Sequence, residues 1–246
     1  MTAARDRRSP LAGAIGLVVF DKDGTLIEFD AMWSGWALEL SARLERATGA
    51  PIRASLFAML GFDPSSGRVQ PGGALAATPM ARLRERTRAL LVNSGLTAAD
   101  ADRALDQAWH APDPVALARP LADLTGLFGH LRTAGVRIAV ATSDDRDPTE
   151  RTFAALGLTG QIDATVCADD GIAVKPAPDM VLHLCAELGI EASRTAVVGD
   201  SVADLEMGHR AGAGFVVAVL TGVEKSDSLA PRADLVLASV ADLWPE

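Results

Sequence analysis

The chain has 246 residues, 49% of them hydrophobic and 22% charged, an ordinary globular mix with enough apolar material for one large domain or a core with a smaller companion. A net charge of −9 excludes the broad basic face of a nucleic-acid binder and makes an anionic membrane surface an unfavourable partner. A small anionic substrate stays open, because a bound cation makes a local site positive on an acidic protein.

Residues 1–12, with Arg7 and Arg8, are expected to form a disordered basic tail. The apolar run behind them, 14–20, stops at Asp21 and falls short of the ~18 residues that a membrane span needs. It is instead a short continuous run rich in β-branched residues, the pattern of a strand buried on both faces of a parallel sheet. Residues 28–119 then carry no convincing strand and read as helices over 32–48, 52–60, 80–94 and 98–109, with a loop dense in turn formers at 61–73.

Strand-like runs return at 136–141, more weakly at 164–167, and at 195–198, 215–219 and 235–237. Helical periods lie between them at 121–134, 149–156, 178–188 and 201–211, each followed by glycine: Gly135, Gly157, Gly189 and Gly212. Strands alternating with helices predict a three-layer α/β domain with a mainly parallel sheet, built from 13–27 and 120–246. The helical block at 28–119 is most simply an inserted cap. Cys167 and Cys185 stand in apolar surroundings without metal-ligand spacing, which predicts buried free thiols in a reducing, cytoplasmic setting.

Ligands of open parallel sheets bind at the carboxyl ends of the strands, so the residues following each run are informative. The first run ends in Asp21-Lys22-Asp23-Gly24-Thr25, the second in Thr142-Ser143-Asp144-Asp145, and the fourth in Gly199-Asp200-Ser201-Val202-Ala203-Asp204. Lys175 sits beyond the weaker third run, between Val174 and Pro176. Taken alone, Asp21 and Asp23 with Gly24 suit a solvated turn or a calcium loop. The calcium reading places Val19 at the first ligand position and Asp30 at the twelfth, with a strand in place of the entering helix.

These four endings, in this order, resemble the haloacid dehalogenase-like hydrolase superfamily, in particular its phosphoglycolate phosphatase-like members with a helical cap. The resemblance spans residues 15–240. It implies a Rossmann-like core with an inserted α-helical cap, and a Mg²⁺-dependent phosphatase acting on a small phosphate monoester, phosphoglycolate-like or a sugar phosphate, through an aspartyl-phosphate. It further implies Asp21 as nucleophile and Asp23 as general acid/base, with Thr142, Ser143, Lys175 and Gly24 holding phosphate. Mg²⁺ falls to Asp21, Asp200, Asp204 and Asp23, the last through its backbone carbonyl, and Asp204 either holds a metal-bound water or orients Lys175.

The chemistry stands on its own terms as well. A carboxylate nucleophile splits one difficult displacement into two easier ones, and a second carboxyl moves the proton of the leaving oxygen. A hydroxyl and an ammonium suit the equatorial phosphoryl oxygens, and oxygen-ligated Mg²⁺ offsets the repulsion between acids and phosphate. A phosphomutase of the same superfamily and a non-catalytic phosphate-binding protein remain alternatives; dehalogenation is disfavoured because Asp23 is present. No nucleic-acid or membrane partner is expected, and monomer and homodimer stay open. Several readings stay double. Asp200 and Asp204 also complement a helix N-terminus, Thr142 also serves as a helix cap, and Phe29, Met32, Trp33 and Trp36 suit either cap core or a substrate wall. Arg82, Arg84, Arg86 and Arg88 surround their helix and suit a solvated surface.

Overall fold

The computed structural model describes residues 13–70, 73–110 and 112–243; the expected tail at 1–12 lies outside them. The chain enters through β1 (Leu17–Phe20) and leaves the sheet for α1 (Phe29–Thr48), α2 (Arg53–Leu60), a two-strand hairpin of β2 (Phe62–Asp63) and β3 (Arg68–Val69), α3 (Ala74–Ala77), α4 (Met80–Asn93), α5 (Ala98–Ala108) and α6 (Pro114–Leu117). It returns through α7 (Leu124–Thr133), β4 (Arg137–Ala141), α8 (Arg146–Ala155), β5 (Ala164–Val166), α9 (Asp179–Leu188), β6 (Thr195–Gly199), α10 (Val202–Ala211), β7 (Phe215–Val219), α11 (Ser226–Leu229) and β8 (Leu235–Leu237).

Six strands pair in the order β5-β4-β1-β6-β7-β8, all parallel. The register aligns Phe20 with Val140 on one side and Val198 on the other, so Asp21, Thr142 and Asp200 emerge together at the same edge. Alternate side chains feed two cores. Val18, Phe20, Ile138, Val140 and Val198 face α7 and join the interior of the helical insertion, with the Phe20 and Phe128 rings 5.6 Å apart. Leu17, Val19, Ala139 and Val197 face Met180 and Leu184 of α9 and Met207 of α10. Each of the Val, Leu, Ile, Phe and Met side chains among them, fully buried, contributes about 1.5–3 kcal/mol relative to exposure.

The helical block matches expectation closely, with α1 burying Met32, Trp36, Leu40 and Leu44 along one stripe. All four predicted terminating glycines adopt left-handed backbone, φ between 66° and 78°. The loop at 61–73 differs from expectation, since it holds the β2–β3 hairpin. Its strands are two residues long, and the turn is closed by Asp63, whose Oδ1 accepts from the Ser65 N–H at 2.9 Å while its carbonyl accepts from Gly67 at 2.9 Å. Side-chain and backbone bonds of this local kind leave no apolar periodicity to read. Entry to and exit from the insertion are laced together: Glu28 N–H donates to the Arg119 carbonyl (2.8 Å) and Leu121 N–H to the Leu26 carbonyl (2.9 Å). Among the described residues no helix is long and apolar enough to cross a membrane.

Candidate active site

At the carboxyl edge of the sheet the ends of β1, β4 and β6 and the loop after β5 surround a cavity of about 110 Å³, lined by Asp21, Asp23, Thr142, Ser143, Lys175, Asp200 and Asp204 among others. The structure therefore brings together seven of the eight residues singled out from the sequence. Asp21, Asp200 and Asp204 form a tight group, each offering one carboxylate oxygen within 4.8 Å of the others.

Each acid is held by local geometry. Asp21 follows directly on β1, and its N–H donates to the Val198 carbonyl at 2.9 Å. Asp200 accepts from the Thr25 hydroxyl at 3.2 Å. Ser201 caps α10, its hydroxyl accepting from the Asp204 N–H at 3.3 Å, while Asp204 Oδ2 accepts from the Ser201 N–H at 3.1 Å. This capping box leaves Asp204 Oδ1 free to meet Lys175 Nζ at 2.6 Å, and the same ammonium contacts Asp21 Oδ1. Asp204 thus fixes the helix start and Lys175 together.

Burial dominates the electrostatics. It pushes Asp21 up to about 6, partly offset by Lys175 and reinforced by Asp204. Burial, then the charges of Asp21 and Asp204, drive Asp200 well above the carboxylate range. Burial alone would weaken the Lys175 ammonium, but Asp204 and Asp21 outweigh it and the net shift is upward. Three buried carboxylates held together with one lysine constitute an all-oxygen donor set whose mutual repulsion a hard divalent cation relieves, so these residues fit Mg²⁺. The Asp23 side chain is not in that set, which leaves only its backbone carbonyl as a possible contribution to such an ion.

Gly24 departs from the expectation that it faces phosphate. Its N–H is spent on the Ile27 carbonyl at 2.7 Å, and it does not line the cavity. Its backbone is left-handed, φ 86°, and a Cβ there would stand 2.6 Å from Asp200 Oδ2. Glycine gives the turn its hand and Asp200 its room. Thr142 is not a helix cap either, since Asp145 precedes α8. Its Oγ1 accepts from the Asp144 N–H at 3.1 Å, which leaves the hydroxyl proton to donate.

Lys22 is the site residue whose role was not legible in sequence. Its side chain has no solvent exposure, and Nζ lies 2.7 Å from Asp23 Oδ2 and 3.2 Å from Asp144 Oδ2. Burial would lower its pKa, but Asp23 and Asp144 together raise it. Asp23 Oδ1 is buried and has no hydrogen-bond partner among the described residues. Phe29 and Trp33 line the cavity while Met32 and Trp36 are core, so the aromatic stripe serves both purposes. Arg82, Arg84 and Arg88 pair on the surface with Glu85, Asp106 and Asp102.

A carboxylate at a strand end, a second acid two residues on, a hydroxyl and a lysine gathered at the edge of a parallel sheet form an arrangement suited to phosphoryl transfer. Residues 15–212 match the model of the haloacid dehalogenase-like hydrolases. A phosphoglycolate phosphatase of Rhodospirillum rubrum is 30% identical over 201 residues, covering 81% of this chain and 78% of the relative. One from Aquifex aeolicus is 31% identical over 131 residues, 53% and 60% of the two chains. A haloacid dehalogenase-superfamily hydrolase of Geobacter sulfurreducens shares the fold, with a TM-score of 0.64 at 17% identity over 96% of this chain and 97% of its own. The chain belongs to the haloacid dehalogenase-like hydrolases, in the phosphoglycolate phosphatase-like branch, and its enzyme class is phosphoric monoester hydrolase.

Proposed function

We propose that the protein is a Mg²⁺-dependent phosphatase that hydrolyses a small phosphate monoester through an aspartyl-phosphate on Asp21. The observation that supports this best is the pairing of Asp21 with Lys175 in the same cavity as Asp23, whose Oδ1 is unpartnered. An Asp21 oxygen attacks phosphorus as the ester bond to the alcohol breaks, and Asp23 donates a proton to the departing oxygen. Asp23 then takes a proton from water, the water oxygen attacks phosphorus, and inorganic phosphate leaves with Asp21 restored. Lys175 and the hydroxyls of Thr142 and Ser143 hold the equatorial oxygens through both displacements.

Mg²⁺ would be held by Asp21, Asp200 and Asp204, with the Asp23 carbonyl completing the protein ligands, and it supplies charge neutralisation of the phosphoryl group when bound. The helical insertion, residues 28–119, acts as a cap that shields the intermediate from bulk water, because Phe29, Trp33 and Met80 reach the cavity. Two unpaired buried thiols, Cys167 and Cys185, support a reducing cytoplasmic setting.

The test is hydrolysis of 4-nitrophenyl phosphate, expected to require Mg²⁺, to stop with EDTA and to vanish in Asp21→Asn. Full activity of that variant would sink the mechanism. Isomer formation from hexose phosphates without net phosphate release would assign the same site to a mutase instead.

A further inference from the structure

The cavity beyond the phosphoryl end is apolar and acidic. Phe29 and Trp33 of α1, Leu75 of α3, Met80 of α4 and Val223 of the loop after β7 line it, with the Phe29 and Trp33 rings 6.3 Å apart. Among the described lining residues Lys175 is the only cation, and its ammonium is already engaged by Asp21 and Asp204. The remaining ionisable residues outside the catalytic set, Asp144 and Glu224, are both acids. Asp144 is matched from behind by Lys22, whereas half-buried Glu224 has no ion-pair partner among the described residues. Arg68 and Lys225 line a neighbouring cleft that shares only Phe29 and Val223 with the site. Arg68 is itself 3.6 Å from Asp30.

A second anionic group on the substrate would therefore meet no unpaired basic side chain among the described lining residues, and the unpaired acid Glu224 belongs to the same wall. A carboxylate or phosphate desolvated without a partner is strongly disfavoured, while an apolar or aromatic alcohol loses nothing by entering. We propose that the site selects phosphate monoesters whose alcohol part is uncharged with an apolar or aromatic face, and discriminates against esters carrying a second anion. The proposal rests on the phosphatase reading above and sets this chain apart in specificity from the relatives that are phosphoglycolate phosphatases. Discrimination by charge of this kind is negative selection built into the lining.

The experiment compares benzyl phosphate with 2-phosphoglycolate, two alkyl esters, so that activation of the leaving group does not decide the outcome. On the full chain with Mg²⁺, kcat/KM is expected to favour benzyl phosphate by about tenfold or more. Glu224→Lys, a loop substitution, is expected to raise kcat/KM for phosphoglycolate relative to benzyl phosphate by about fivefold or more. Trp33→Leu is expected to narrow the preference from the other side. Equal or better turnover of phosphoglycolate by the unmodified enzyme, abolished in Asp21→Asn, would overturn the specificity alone. An unchanged ratio in Glu224→Lys would overturn the charge argument. Absence of Mg²⁺-dependent turnover of every ester would overturn the phosphatase reading and the specificity with it.

Discussion

Lys22 is a fully buried lysine clamped between two carboxylates, 2.7 Å from Asp23 Oδ2 and 3.2 Å from Asp144 Oδ2. Removing one partner of a buried ionic cluster leaves the other charges uncompensated, which costs about 3–5 kcal/mol. Lys22→Met is therefore expected to lower unfolding free energy by about that amount in urea titration. Asp144→Asn should cost less, since Lys22 keeps Asp23. The double variant should cost less than the two singles summed, because the same interaction is lost only once. Strict additivity would show that the three groups are not coupled.

The acids proposed to hold the cation link stability to pH. Asp21 sits at about 6 in the folded chain against an ordinary value near 4 when unfolded, and Asp200 is also raised. Raised carboxyl pKa values mean that the folded state holds more protons than the unfolded one in this window. Their contribution to stability is thus fully present below about pH 4 and is lost as pH rises through about 6. A divalent cation should restore it, releasing protons on binding. The rise in Tm on adding Mg²⁺ to EDTA-treated protein is expected to be larger at pH 7.5 than at pH 5. A larger effect at pH 5 would contradict the assignment of these residues to the cation.

Under the proposed mechanism, Asp23→Asn separates proton transfer from attack at phosphorus. With alkyl phosphates, whose leaving oxygen needs a proton, kcat is expected to fall by about 10²–10⁴. Phosphorylation of the enzyme by 4-nitrophenyl phosphate, measured as the burst of nitrophenolate, should fall far less because that leaving group departs unprotonated. Equal losses on both substrates would place Asp23 outside proton transfer.

Gly24→Ala tests the packing beneath Asp200. The added methyl would crowd the Asp200 carboxylate in a backbone conformation that side chains rarely adopt, φ 86°. Expected are a stability loss of about 1–3 kcal/mol and a weakened Mg²⁺ requirement curve, seen as a higher half-saturating concentration. Gly49→Ala shares the left-handed backbone, φ 67°, but has nothing within 4 Å of a Cβ, and should leave that Mg²⁺ concentration unchanged.

Much of this architecture was legible because its signals are local. Strands buried on both faces are continuous apolar runs, glycine closes each helix, and the residue after a parallel strand points toward the ligand edge. Asp21, Thr142 and Asp200 follow from that logic directly. Lys22 does not, since a lysine between two acids looks solvated until β4 brings Asp144 alongside. Leu75, Met80 and Val223 carry no chemical signature, and only packing of the insertion against the sheet edge makes them a wall. Gly24 reads as a turn residue in the sequence, but its use as space for Asp200 depends on a contact across the sheet.

The paired crossing of the insertion's two connections limits how that block can move. Glu28 bonds to Arg119 and Leu121 to Leu26, side by side, within a few residues of Asp23. A block hung from one strand of chain swivels freely; one hung from two adjacent, mutually bonded strands rocks about a single line, like a door on two pins. Phe29 lies immediately beyond that line. Rocking about that line would move the aromatic wall relative to Asp23, so the same pair of backbone bonds sets both the attachment of the insertion and the placement of Phe29 beside the cavity.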